Sequence, residues 1–371
     1  MQTIKWINTS QQLEKLCQYW LQQEFIALDT EFVRERTYYP LQGLLQVSCG
    51  DTAWLLDPLA IDNWSCFAEV LKAPRTTKVL HACGEDLEVL QLLCGAMPEP
   101  LFDSQLAAAY AGLGFSWGYA RLVEHFLGLE LDKEETRSNW RQRPLSERQH
   151  EYAARDVVYL ARLYPQLRQL LSEQKLAWLL EDGTGLVAQQ AQETDFASLW
   201  QSIKQAWRLE PQQAAVLQEL AAWREQQARR RDLPRNRVLH ESLLLELAQN
   251  PPQSLADLEQ FDQLSPGSKR RDGETIVRLS RQALAKPPEQ WPAQLPQPLT
   301  IEQNKLIKQL RKPLNEFAAR HELSAELLVR KKTLQDLILS RDAHGAYHLP
   351  DSLQGWRREQ LGAALLQQLN N

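Results

Sequence analysis

Long apolar runs are missing from this sequence: none approaches the ~20 residues that cross a bilayer. The first twenty residues, MQTIKWINTSQQLEKLCQYW, lack the basic start and apolar core of a signal peptide. A cytoplasmic protein without membrane contact is therefore the expectation. Cysteine is scarce. The chain has five, an odd number with no CxxC pair, which argues against a disulfide framework or a zinc finger and for free thiols packed as small apolar residues. What remains is ordinary for a globular protein, 43% apolar and 24% charged, and 371 residues leave room for two or three domains of roughly 100–200 residues each.

The net charge of −5 hides an asymmetry. Residues 1–200 hold 17 Lys and Arg against 27 Asp and Glu, whereas residues 201–371 hold 25 against 20. The acidic front is a poor nucleic-acid binder by charge alone, unless metal ions cover its carboxylates. The basic rear suits contact with a phosphate backbone.

The front also alternates strands with helices. TIKWI reads as an edge strand and the next stretch as a helix carrying Leu13, Leu16, Trp20 and Leu21. EFIALDTEF reads as a buried strand; GLLQVSCG and TAWLLDP form a hairpin across CGDT. WSCFAEVLK is a helix, KVLHAC a strand, EDLEVLQLLCG a helix, LFD a short strand before SQLAAAYAG, and ERQHEYAARDVVYLARLYPQLRQLL a long helix. Strands with intervening helices and one hairpin imply a mixed sheet flanked by helices. Past about residue 190 strand signals nearly vanish. Five prolines within KPPEQWPAQLPQP, residues 286–298, make a stiff connector between two helical stretches. These share an order of features, a long helix, a basic turn and a Leu-Leu helix, which suggests a duplicated fold. The expected domains are 1–193, 208–288 and 296–371.

Four carboxylates carry the chemistry. Asp29 and Glu31 stand two apart on an apolar strand and so share one face, a costly placement unless a cation compensates. Hard divalent ions take such oxygen ligands. Asp86 opens a helix and, read alone, is an acid favoured by the helix dipole. Tyr152 and Asp156 are one turn apart, so a phenol and a carboxylate point the same way.

LDTEF, HACGEDLEVL and YAARDVVYL, in that order, resemble the three motifs of the DEDD exonucleases, and the tyrosine four residues before the last aspartate marks the DEDDy branch. FVRERTYYPLQGLLQVS and NWRQRPLSERQHEYAARDV are similar to the ribonuclease D family, and the rear helices resemble HRDC domains. The resemblance implies an α/β ribonuclease H-like exonuclease domain followed by two all-α HRDC-type domains. It also implies two-metal hydrolysis with Mg²⁺ or Mn²⁺, or Zn²⁺ or Co²⁺ in vitro. Asp29 would bridge both ions, Glu31 and Asp156 complete one site, Asp86 serve the other, and Tyr152 orient the attacking water. The implied activity is 3′→5′ trimming of tRNA precursors and other small stable RNAs to nucleoside 5′-monophosphates, with RNA as partner and no obligate protein partner.

Around these acids, Thr30 and Phe32 are candidates to hold the terminal nucleotide, Phe32 serving equally as core. His81 is a candidate general acid or a structural histidine. Trp140, Arg141 and Arg143 sit in a basic loop that is expected to close over the strand. Arg229, Arg230 and Arg231, with Arg235 and Arg237, then Lys269, Arg270 and Arg271, and then Arg330, Lys331 and Lys332, form three clusters expected to meet RNA backbone. Two other readings keep their place: a DNA 3′→5′ exonuclease of proofreading or RecQ-associated type, and a nucleic-acid-binding protein that does not cleave.

Overall fold

A computed structural model describes residues 3–131 and 138–370. The front half holds β1 (Thr3–Ile7), α1 (Ser10–Trp20), β2 (Phe25–Val33), β3 (Leu41–Ser48), β4 (Thr52–Leu56), α2 (Ser65–Lys72), β5 (Thr77–Leu80), α3 (Gly84–Cys94) and β6 (Leu101–Asp103). Then come α4 (Ser104–Tyr110), α5 (Tyr119–Leu127), α6 (Glu147–Gln169) and α7 (Glu173–Ala191). The strands form one sheet in the order β1-β4-β3-β2-β5-β6. Only β3 runs against its neighbours, β2 and β4; every other pairing is parallel. The mixed sheet follows from the hairpin read in the sequence.

Alternation along β2 sets its two faces. Ile26 and Leu28 pack with Leu13, Trp20, Phe67 and Leu87 beneath α1, α2 and α3. Ala27, one register step away, packs with the core that includes Leu160 and Leu163 of α6. Asp29 and Glu31 continue the Ala27 side, and a register shift interrupts the β2–β3 pairing just after Glu31. Lys78, fully buried on β5, donates from Nζ to the carbonyls of Ala73, at 2.8 Å, of Thr76, at 2.6 Å, and of Glu99, which satisfies a charge that burial would otherwise make expensive. All five cysteines are free thiols, Cys17 and Cys83 buried and the other three half-buried.

The rear is helical: α8 (Pro211–Arg231), α9 (Arg235–Val238), α10 (Glu241–Gln249), α11 (Pro266–Leu284), α12 (Ile301–His321), α13 (Lys331–Leu339) and α14 (Gly355–Asn370). The repeated order of features is visible here. α8 and α12 each run 21 residues and end on a non-glycine residue in the left-handed region, Asp232 (φ 49°) and Glu322 (φ 51°). The apolar helices α10 and α13 are nine residues each.

Compact units do not follow chain order. Residues 1–33, 40–192 and 299–371 form one; residues 34–39 and 193–298 form the other. In the first, Leu310, Leu314 and Phe317 of α12 and Trp356 of α14 share a core with Tyr110, Leu167 and Trp178. The Trp178 and Trp356 rings stack at 4.4 Å, and Arg357 donates to Asp182. In the second, Tyr38 joins the core built around Leu217, Leu220 and Leu244.

Candidate active site

Three local devices bring the acids together. β2 supplies Asp29 and Glu31 from one face. α6, started by a capping box between Ser146 and Gln149, carries Tyr152 and Asp156 along one side. The third is the turn from β5 into α3. Ala82 takes the left-handed region (φ 52°), and the Cys83 N–H donates to Asp103 at 3.0 Å. Asp103 also caps α4 through Gln105 N and Leu106 N, at 2.8 and 3.1 Å, so the start of α3 is pinned to β6. Asp86 sits in that first turn and accepts from the Thr30 hydroxyl at 2.5 Å.

Carboxylate oxygens of Asp29, Glu31 and Asp156 lie within 4.8 Å of one another, at a cavity of about 650 Å³. Burial and the charges of Asp86, Asp156 and Glu31 push Asp29 well above the usual carboxylate range. Burial, with the charges of Asp156 and Asp86, does the same to Glu31. Burial raises Asp86 to about 6, against the hydrogen bond from Thr30. It raises Asp156 to about 7, against the Tyr152 hydroxyl that donates to it and the nearby charge of Arg155. Such a set repels itself at neutral pH.

The other sequence candidates fall into three groups. Thr30 and His81 line the cavity. The Thr30 hydroxyl is committed to Asp86; His81 Nδ1 lies 2.9 Å from Ser104 Oγ, and burial lowers its pKa, which favours the neutral ring. Phe32 is not among the cavity-lining residues and follows the register shift.

The loop expected to close over the strand is instead a brace. Trp140 is 1% exposed, in a core with Leu44, Leu55 and Val157. It presses so closely on β3 that a Cβ at Gly43 would stand 2.6 Å from its own Cβ. Arg143 clasps Asp57 at 2.9 and 2.5 Å and donates to the Gly43 carbonyl at 2.7 Å. Arg141 donates to the Gln42 carbonyl. With Trp140 packed in that core and the donors of Arg143 spent on Asp57 and backbone carbonyls, neither residue lines the cavity.

Much of the rear charge is spent likewise. Arg229 and Arg235 pair with Glu225, Arg231 and Arg271 with Asp272, Lys269 with Glu259 and Lys332 with Asp336. Arg230, Arg270 and Lys331 are exposed and have no carboxylate partner among the described residues. The cavity also contains residues the sequence did not single out: Tyr119, Arg121 and Leu131, then Arg155 and Leu160 on α6. Tyr119 donates its hydroxyl to the Asp156 carbonyl, which ties α5 to α6 at Asp156 itself. The Gly-rich tract before α5 gave no periodic signal that would have marked this helix.

Residues 4–172 match the 3′-5′ exonuclease family, 213–279 the HRDC domain, and 302–365 the C-terminal HRDC domain of ribonuclease D. Ribonuclease D of Pseudomonas paraeruginosa is 49% identical over 99% of this chain and 98% of its own length. The Escherichia coli K12 enzyme is 38% identical over 97% and 96%. The crystal structure of Escherichia coli RNase D, described as an exoribonuclease involved in structured RNA processing, superposes with a TM-score of 0.90, covering 100% of this chain and 99% of that one at 36% identity. No described helix is long and apolar enough to cross a membrane. With the strand, turn and helix of the acid cluster in the order of the family's motifs, the chain belongs to the ribonuclease D family of metal-dependent 3′→5′ exoribonucleases.

Proposed function

We propose that this exoribonuclease trims 3′ extensions from tRNA precursors and other small stable RNAs in the cytoplasm, one nucleoside 5′-monophosphate at a time, using Asp29, Glu31, Asp86 and Asp156 as ligands for two divalent ions, Mg²⁺ or Mn²⁺. One observation carries the reading: oxygens from three carboxylates converge within 4.8 Å at an open cavity. The all-oxygen donor set fits a hard divalent ion. Asp29, Glu31 and Asp156 would hold one, Asp29 and Asp86 the other. Such ions, when bound, supply charge for the attacking and leaving oxygens and a water acidic enough to act near neutral pH.

The chain's own residues supply position. Tyr152, which hydrogen-bonds Asp156, orients the attacking water in line with the leaving 3′ oxygen. A phenol with a pKa near ~10 is a poor base at neutral pH, so orientation is its role. The Thr30 hydroxyl fixes the rotamer of Asp86, and Tyr119 fixes the height of Asp156 on α6.

The acids act on phosphate and do not read the sugar, so a DNA substrate is the reading to test against. A 3′-extended tRNA precursor and a matched DNA strand are incubated with Mg²⁺ or Mn²⁺ and resolved by length. Stepwise shortening of RNA alone supports the proposal. Internal cuts, or equal attack on both strands, overturn it.

A further inference from the structure

The cavity raises a problem of charge. Its acids and the ions they would hold can balance each other, but an RNA strand leaving its mouth adds a phosphate with every further nucleotide. Among the described residues that line it, two are cations fixed at neutral pH: Arg121, in the first turn of α5, and Arg155, on α6 beside Asp156.

Both are available. The exposed Arg121 guanidinium lies 3.8 Å from the centre of the Trp117 ring, and no carboxylate pairs with it among the described residues. Stacking on a ring face leaves the edge of the guanidinium free to fork onto a phosphate. The platform is itself held. Trp117 is 9% exposed, its carbonyl accepts from Gln105 Nε2 at 3.0 Å, and Gly114 gives it room, since a Cβ there would stand 2.4 Å from the indole nitrogen. Among the described residues Arg155 pairs with the solvent-exposed Glu151, at 3.1 Å one turn earlier, with side chains 42% and 57% exposed. Such a pair is weak and exchanges readily for a phosphate.

We propose that Arg121 and Arg155 form a phosphate clamp at the cavity mouth, gripping the RNA backbone on the 5′ side of the scissile linkage. This rests on the acid cluster being the cleavage centre. The clamp gives the nuclease unit its own hold on single-stranded RNA, and the two arginines grip without reading sequence.

Arg121→Gln and Arg155→Gln should each raise KM for a single-stranded RNA oligomer about 3- to 10-fold, more than they lower kcat, and should reduce the slope of log(kcat/KM) against log[salt] by about 0.7. Trp117→Leu should reproduce part of the Arg121→Gln loss. Because exposed arginines are changed, thermal midpoints should stay at the wild-type value. The decisive arm places a single uncharged methylphosphonate at successive linkages and follows single-turnover removal of the terminal nucleotide. At one linkage per arginine, the penalty of the variant should vanish. Penalties that persist on every neutral-linkage substrate, or a wild-type KM and salt slope, overturn the clamp. Failure of the cleavage centre itself shows differently: Asp29→Asn would then cleave while both arginines were intact.

Discussion

Two groups of carboxylates in this chain are pushed in opposite directions. Asp29, Glu31 and Asp156 at the cavity, and Asp86 at the start of α3, are all raised, because burial is reinforced by like charges or only partly offset by hydrogen bonds. On α8, burial would also raise Glu225, yet hydrogen bonds from Arg235, Tyr38 and Arg229 outweigh it and hold the group at about 2. Tyr38 Oη lies 2.5 Å from Glu225, and Arg235 reaches both carboxylate oxygens at 2.5 and 3.0 Å. Asp272 is lowered in the same way, burial being overcome by Arg231 and Arg271. A carboxylate that has its cation inside the fold is architecture. One left without a cation is waiting for something from solution.

The comparison breaks first at Asp29. Asp29→Asn removes the carboxylate proposed to serve both ion sites and should cut mononucleotide release by at least about 10³-fold. A rate near wild type would mean that the uncompensated cluster has no catalytic task. Tyr152→Phe keeps the ring against Trp140, 5.9 Å away, and removes only the hydroxyl. Its kcat should fall about 10- to 100-fold, with metal affinity little changed by calorimetry. On the compensated side, Glu225→Gln removes the carboxylate that Arg229 and Arg235 share. Because those arginines are partly in water, about 2 kcal/mol of stability should go, measured by urea unfolding, with cleavage by the remaining folded protein intact.

A pH series sharpens the contrast. Asp156 binds its proton more tightly folded, at about 7, than at its unperturbed 3.8. The metal-free protein should therefore lose stability as pH rises from about 4 to about 7, the reverse of what Glu225 contributes. Saturating Mg²⁺ or Mn²⁺ should restore it above pH 7, and Asp156→Asn should flatten the metal-free profile. The smallest effect belongs to the exposed cations. Arg230→Ala and Lys331→Ala should each change stability by less than about 0.5 kcal/mol. A lowered salt slope on long RNA would then mark them as backbone contacts.

How much of this was legible in the sequence depended on the range of each contact. Asp29 and Glu31 on one strand, and Tyr152 one turn before Asp156, are fixed by local geometry, so spacing alone placed them on shared faces. The mixed sheet was readable because its hairpin turn, residues 49–51, is only three residues long. Arg143 was misplaced because its partners, Asp57 and Gly43, are 86 and 100 positions away, and a basic loop looks the same whether its charges face solvent or a carboxylate. Arg231 and Asp272 repeat the lesson at 41 positions. The proline-rich connector suggested a boundary at residues 286–298, but nothing in the periodicity of α12 and α14 says that their apolar faces belong with Tyr110 and Trp178.

That last arrangement bears on how the chain is made. Strand β2 and helix α6 emerge from a ribosome well before Leu310, Leu314, Phe317 and Trp356, which complete the core shared with Leu167 and Trp178. Residues 34–39, between β2 and β3, must meanwhile wait for α8 before Tyr38 finds Glu225 and Asp232. A chain halted before residue 299 would carry all four acids and still lack part of the packing beneath them. An enzyme that shortens RNA from its 3′ end thus completes this core only once residues beyond 299 have been made.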